Sequence, residues 1–365
     1  MKNTTIGFDV RMAEHTGIGR YIRGIVSGLA VASPPFKLAL ISNKNSKIQL
    51  PPHLSNFQTG APVYSLQEQF AIPKIAGRFD CLHVPHYNAP VLWRKKMVIT
   101  IHDLIHVHFA KYLTSPFAHL YRLTLLPYVV RRADHIIAVS EYTKNDLVET
   151  FRINPAKVTV IYHGVDPAFL NSKSEFKNKT RLSKPYFLYV GLLKAHKNIG
   201  ILLEAFRHLK KKMQVQDLQL VLVGMPDLKQ PVVRRWLNVI QNANDVSLIT
   251  RADDHKLRQL YQDALALVQP SLCEGFGFPL IEAMATRLSV IAAQTSSIPE
   301  VLGQAGLYFD PNSVVELEHR MEKIYQDAEL RERLASEGKK RVQIFNWQTA
   351  ALKTIKAYES IFQTH

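Results

Sequence analysis

Cysteine is nearly missing. The 365 residues hold two, Cys81 and Cys273, which excludes a disulfide framework and fits a reducing compartment such as the cytosol. Long apolar runs are missing as well: none approaches the roughly 18 residues that a membrane span needs. Asp9 and Arg11 interrupt the only N-terminal apolar stretch, so no signal peptide is expected. No zinc-finger spacing, no repeat of fixed period and no low-complexity tract is present. Acids are scarce, with 30 Asp+Glu against 46 Lys+Arg and a formal charge of +16. What remains is a chain that is 47% hydrophobic, rich enough to build packed cores and unlike a disordered basic tail. Its length fits two domains of about 150–200 residues each.

The charge is uneven. Residues 1–170 carry 19 basic and 10 acidic side chains, 171–184 carry five and one, and 185–365 carry 22 and 19. A nucleic acid, an anionic membrane surface, a phosphorylated substrate or a plain solvated surface would each fit a basic excess. A nucleic-acid partner is disfavoured, because no recognition module accompanies the charge. The polar stretch 171–184 has no apolar periodicity and reads as a linker between domains 1–170 and 185–345.

Both halves alternate short β-rich runs with helical patterns. The runs are Thr5–Val10, Lys37–Ser42, Cys81–Val84, Met97–His102, His135–Ser140 and Val158–Tyr162. In the second half they are Tyr186–Gly191, Gln219–Gly224, Ser247–Thr250, Ala264–Gln269, Ser289–Ala293 and Gly306–Phe309. Helical patterns include Gly19–Val31, Pro116–Arg132, Glu141–Phe151, Ala328–Ile344 and Gln348–Phe362. Continuous Val/Ile/Leu runs bounded by turns predict parallel strands covered on both faces by helices. Two such arrays predict an α/β protein of two doubly wound, Rossmann-like domains with a cleft between them. Ligands in such folds sit at the carboxyl ends of strands.

The segment from Val268 to Met284 is the most informative: a strand, a glycine loop containing Glu274-Gly275-Phe276-Gly277, then a helix opened by Pro279. Proline suits a first helical turn. Amides near Gly275–Phe278 and the helix dipole predict an anion site, with Gly275 and Gly277 admitting close approach of a ligand. Glu274 and Glu282 stand eight residues apart, before and within the helix. Two such glutamates, taken alone, are more often surface charges.

This E-G-F-G-x-P-x-x-E-A-M segment resembles the E-x7-E signature of retaining glycosyltransferases of family 4, which have the GT-B fold. The likeness extends to Ser297–Val301, Gly306–Pro311, Tyr189–Asn198, Ala138–Ser140, His163–Asp166 and, at the start, Gly7–Arg11 and Thr16–Tyr21. That opening is similar to the mannosyltransferase-like members. The resemblance implies a metal-independent enzyme without a cofactor that moves a hexose, mannose from GDP-mannose first, from a nucleotide sugar to a glycan or lipid-linked acceptor. A UDP-sugar enzyme and a non-catalytic sugar-nucleotide-binding subunit are the alternatives. It also implies that the helix in 346–365 packs back on the first domain. The expected location is cytoplasmic or peripheral at the cytoplasmic face of the inner membrane.

Carried over residue by residue, the resemblance places Glu274 on the donor sugar and Glu282 on the ribose. Lys197 faces the diphosphate. Leu192 stands where many members have an arginine, so Lys194 or His196 is a further candidate there. Gly275, Phe276 and Gly277 line the donor; Gly17 and Gly19 form a loop that approaches the diphosphate, though a tight turn explains G-x-G as well. Arg251 lies where the base is received. His102 is similar to the active-site histidine, while Asp9, Arg11 and Asp103 fall on the acceptor side; for Asp9 and Arg11 a buried ion pair reads equally. His83, His86, His106 and His108 invite a metal, but no acids or cysteines complete a regularly spaced ligand set. Phe109–Ala133 mixes aromatics, leucines and basic residues, which reads as helix core or as a face for an anionic bilayer.

Overall fold

The apolar runs become strands, and the reason is visible in their burial. Central strands such as Cys81–Val84, Tyr186–Val190 and Val290–Ala293 are buried at every position, as a sheet covered on both faces requires. The computed structural model describes residues 3–49, 51–112, 120, 122–170 and 184–363. The expected linker 171–184 lies outside them apart from Lys184, and so does part of the expected helix Pro116–Arg132. The chain divides into two units: Met1–Gly164 together with Phe345–His365, and Val165–Ile344.

In the first unit, β1 (Thr5–Asp9), β2 (Lys37–Asn43), β3 (Ser55–Thr59), β4 (Cys81–Val84), β5 (Lys96–Ile101), β6 (His135–Ala138) and β7 (Val158–Val160) form one parallel sheet. Its order is β3-β2-β1-β4-β5-β6-β7. Ile72 and Ala76 of helix Leu66–Ala76 and Leu126, Val129 and Val130 of helix Leu125–Arg132 share one core with Ile41, Val84, Ile99 and Ile136.

Two elements of this unit escaped the sequence reading. Strand β3, Ser-Asn-Phe-Gln-Thr, is a half-exposed edge strand, so it carries no apolar run to detect. Helix Leu66–Ala76 contains Pro73 and exposes Leu66 and Phe70, which blurs its periodicity. A local signal for it exists: Ser65-x-x-Glu68 is a capping box, with Ser65 Oγ accepting from the Glu68 amide at 3.2 Å.

The last helix, Trp347–Gln363, packs on helix Gly17–Ala32, returning the C-terminus to the first unit. Its buried face is Ala350, Ala351, Thr354, Ile355, Ala357, Tyr358 and Ile361. Gly24 and Gly28, one turn apart, make the close approach possible. A Cβ on Gly24 would fall 2.1 Å from the Trp347 ring, and one on Gly28 would fall 2.7 Å from the Trp347 carbonyl.

The second unit holds β8 (Tyr186–Val190), β9 (Gln219–Val223), β10 (Val246–Ile249), β11 (Ala266–Gln269), β12 (Val290–Ala293) and β13 (Gly306–Phe309). They form a parallel sheet of order β10-β9-β8-β11-β12-β13. Three of its helices start where short polar side chains satisfy free amides: Asp253, Ser313 and Asp327 each accept from an amide three residues on. Two parallel Rossmann-like sheets in separate units, with the terminal helix returned to the first, are the architecture of the GT-B fold. Among the described residues no helix is long and apolar enough to cross a membrane.

Candidate active site

In the second sheet the strand order reverses between β8 and β11, and crevices for ligands form at such switch points. The loop after β8 carries Lys197 and the loop after β11 carries Glu274. The structure brings the two together: Lys197 Nζ lies 2.6 Å from Glu274 Oε1. Lys197 ends the short turn Ala195–Lys197, directly before helix Ile199–Met213. The two loops are also tied through their backbones, since the Leu272 amide donates to the His196 carbonyl at 2.8 Å.

Glu274 is held at almost every polar atom. Its amide donates to Ser296 Oγ and its carbonyl accepts from Ser297 Oγ, both at 2.9 Å. Oε1 accepts from Lys197, from Gln269 Nε2 at 2.6 Å and from Ser271 Oγ at 2.7 Å. Among the described residues no hydrogen bond reaches Oε2. Burial pushes this carboxyl up, but the charge and hydrogen bond of Lys197, the Ser271 hydroxyl and the nearby His196 outweigh it and hold it below its ordinary value. Glu274 is therefore ionised at neutral pH, with one oxygen fully committed.

Helix Phe278–Ala285 follows. Gly277 sits at its N-terminus with φ of +95°, a conformation that favours glycine, and Pro279 occupies the first turn. Gly275 and Phe276 are buried in the same loop. Glu282 lies on the buried face of this helix, where its Oε2 accepts from the Tyr261 hydroxyl at 2.8 Å. Glu282 and Glu274 thus keep separate partners. Arg251 lies exposed after β10, and Leu192, the position without the arginine, accepts at its carbonyl from the Tyr189 hydroxyl.

Sequence reasoning missed four residues of this constellation: Gln269, Ser271, Ser296 and Ser297. Ser271 stands three residues before Glu274, close enough to be found. Gln269 has a sequence signal too, a lone polar residue ending an apolar strand. Ser296 and Ser297 reach Glu274 from the loop after β12, and nothing local marks them. Ser296 holds φ at +52°, uncommon for a side chain other than glycine or asparagine.

The first unit concentrates histidines after β4 and β5. His102 directly follows β5, and its Nε2 donates to the Pro85 carbonyl at 2.9 Å, which leaves Nδ1 as the acceptor of the neutral ring. Its ring packs against those of Tyr21, His163 and His86. Burial pushes His102 below the ordinary imidazole value, against the opposing pull of the Pro85 carbonyl and Asp103. His83 is embedded between the Tyr358 hydroxyl of the last helix and Thr100 Oγ1, and Thr100 in turn bonds the Tyr21 hydroxyl at 2.8 Å. Asp103 is occupied in turning the chain, accepting from the Ile105 amide at 3.0 Å. Among the described residues no group of three or more His, Cys, Asp or Glu is arranged to hold a metal ion.

Asp9 and Arg11 form the buried ion pair. The guanidinium Nη2 lies 2.7 Å from Asp9 Oδ2 and 2.9 Å from Glu68 Oε2, with all three side chains enclosed. Nη1 donates to the Ala61 carbonyl, and Asn88 Nδ2 donates to Glu68. This triad braces the end of β1 and engages four of the five N–H donors of Arg11. For the glycines only the start of the helix differs from expectation. Gly17 and Gly19 lie inside the first turn of helix Gly17–Ala32 rather than ahead of it. Gly19 is required by packing, since a Cβ there would fall 2.5 Å from the Ala13 carbonyl, whereas Gly17 faces open space.

Comparison with known proteins meets this geometry from outside. A family profile described as Glycosyltransferase Family 4 matches residues 17–169, and one described as Glycosyl transferases group 1 matches residues 171–341. The chain is similar to the O-antigen chain mannosyltransferase RfbU of Salmonella typhimurium. The two are 30% identical over 228 residues, which span 62% of this chain and 60% of that protein. It is also similar to O-antigen chain mannosyltransferase B of Escherichia coli, 26% identical over 374 residues that span 94% and 96% of the two chains. Among solved structures, sucrose-phosphate synthase from Thermosynechococcus elongatus superposes with a TM-score of 0.78 at 21% identity, covering 100% of both chains. Anabaena HepE in complex with UDP-glucose superposes with a TM-score of 0.75 at 17% identity, covering 98% of this chain and 100% of that one.

Proposed function

We propose, for a chain that is a two-domain GT-B glycosyltransferase related to the group 1 and family 4 enzymes, that it transfers a hexose with retention of the anomeric configuration. The acceptor is a hydroxyl of a glycan or lipid-linked glycan. The observation that carries this reading is the Lys197–Glu274 pair on adjacent loops at the switch point of the second sheet. A cation at this place suits the charge that grows on a departing diphosphate, and a held carboxylate suits hydroxyls of the transferred sugar. In the proposed step the bond from the anomeric carbon to the diphosphate breaks as the acceptor oxygen attacks the same face. The leaving phosphate oxygen takes the acceptor proton. Glu274 binds and orients the sugar, Glu282 the ribose and exposed Arg251 the base, with the amides of Gly275–Gly277 adding to the anion site. His102 offers Nδ1 to a sugar or acceptor hydroxyl.

For the donor, a UDP-sugar comes first, supported by the solved structures of HepE with UDP and with UDP-glucose. GDP-mannose is the second reading, supported by the names of the two relatives, both mannosyltransferases. Thermal unfolding in the presence of UDP, GDP, UDP-glucose and GDP-mannose distinguishes them. A ligand at about 100-fold its Kd stabilises by about 2.7 kcal/mol, several degrees of Tm. A selective rise with the uridine compounds is expected; a selective rise with the guanosine compounds moves the mannosyl reading to first place. No rise with any of them at millimolar concentration would remove the nucleotide-sugar assignment.

The acceptor reading carries a second expectation, of peripheral attachment at a cytoplasmic membrane face. Leu120, Leu123, Tyr128 and Arg131 are exposed along this stretch, with Arg122 and Arg132 half-buried beside them. Such a face would favour anionic over zwitterionic bilayers. Co-sedimentation with phosphatidylglycerol vesicles should exceed that with phosphatidylcholine at low salt and fade at high salt. Equal binding to both would sink this part.

A further inference from the structure

We propose that Gln269 is a positioning residue for Glu274. Its amide, together with Ser271, fixes Oε1, so that Oε2 stays presented to the sugar when the donor diphosphate draws Lys197 away. The inference rests on the reading of Glu274 as the sugar-binding carboxylate.

Gln269 is the last residue of β11, after Ala266, Leu267 and Val268, and is 1% exposed. A strand end buried this deeply favours an apolar side chain. The amide here instead donates from Nε2 to Ser271 Oγ at 3.0 Å and to Glu274 Oε1 at 2.6 Å. Its own Oε1 is buried with no hydrogen-bond partner. An orphaned buried acceptor is a stability cost that methionine or leucine would not carry. What the glutamine supplies and an apolar residue cannot is an N–H aimed at Glu274 and a second aimed at the Ser271 hydroxyl that also binds it.

The three donors on Oε1 differ in origin. Lys197 comes from the loop after β8 and carries the charge that a diphosphate attracts. Gln269 and Ser271 belong to the same strand and loop as Glu274, so they keep their place when the lysine moves. Without them, the carboxylate would turn about its own side-chain bonds as soon as the ion pair opened. Loose placement of a reacting group by about 1 Å costs up to about 100-fold in rate.

The test is Gln269→Met, a near match in volume. The expected result is an unfolding midpoint equal to or above that of the parent, a kcat lowered about 10-fold to 100-fold, and a donor KM changed by less than about threefold. Gln269→Leu serves if the methionine variant does not fold. A variant with parental kcat overturns the inference. So does one in which midpoint, kcat and KM all worsen together, since that marks Gln269 as packing alone. Glu274→Gln, measured beside them, separates the two levels. If it turns over normally, the reading of Glu274 falls; if it is inactive while Gln269→Met is fully active, only the role of Gln269 falls.

Discussion

Exchanging Lys197 for methionine is expected to lower kcat by about 10²–10³-fold, the usual effect of removing one preorganised group from a site of developing charge. The side chain is well placed for that effect. It is mostly buried, it stands at the switch point of the sheet, and its position is set by the turn Ala195–Lys197 and by the backbone tie from Leu272 to His196. Methionine keeps the packing of the stem and removes the charge alone. A second consequence follows for Glu274. Burial raises its pKa, and Lys197 is the foremost of the groups that counter this. Without the lysine the carboxyl protonates at higher pH, so the residual activity should fall away on the acid side earlier than in the parent. Transfer from a labelled donor across a pH series reads both effects, with far-UV circular dichroism to show that the fold persists. Turnover within tenfold of the parent would remove Lys197 from the site.

The parts of the molecule that the sequence made legible are those where one physical requirement acts over a contiguous stretch. Buried parallel strands need unbroken apolar runs, so Cys81–Val84 is found with its limits intact and Tyr186–Val190 with one residue to spare. Helix Glu141–Phe151 begins at a serine cap and is found in the same way. The edge strand Ser55–Thr59 lies where only one residue is buried, and no such requirement acts on it. The same division separates the residues of the site. Lys197 and Glu274 stand in local motifs, and their meeting follows once β8 and β11 are neighbours. Ser296 and Ser297 act on Glu274 from 22 and 23 positions away along the chain, and only the packed sheet shows it. Arg11 illustrates a third case. Its type and position fit an acceptor contact or an ion pair equally, and only the packed unit shows the ion pair, with Glu68, 57 residues on, as its second partner.

Lowering the pH from 7.5 to 5.5 is expected to remove about 4 kcal/mol of stability from the first unit. Three buried histidines, His83, His86 and His163, are held neutral there, and half-buried His102 and buried His135 are shifted the same way. Burial comes first among the causes for each, and any charge on His102 would push His83, His86 and His163 lower still. His83 is pushed down to about 3. An unfolded histidine titrates near 6.5. Between that value and the lowered native ones, the unfolded chain binds more protons than the native unit, so stability rises with pH there and is lost as pH falls below about 6.5. A histidine that stays neutral in the native unit costs about 1.4 kcal/mol between pH 7.5 and 5.5, most of it below 6.5, and the three together give about 4. That is comparable with the whole stability of an ordinary domain. Glu68 works in the opposite direction. Burial raises its pKa above the unfolded value, so its contribution is fully present at low pH and lost as pH rises, offsetting part of the loss. Glu274 bears on lower pH, since its native pKa is depressed and its contribution fades only as pH falls below the unfolded carboxylate value. Urea unfolding at pH 7.5, 6.5 and 5.5 measures the effect. In a Trp236→Phe variant the remaining tryptophans, Trp93 and Trp347, both report on the first unit. A change below about 1 kcal/mol over this range would mean that these rings are reached by water and protonate in the native state.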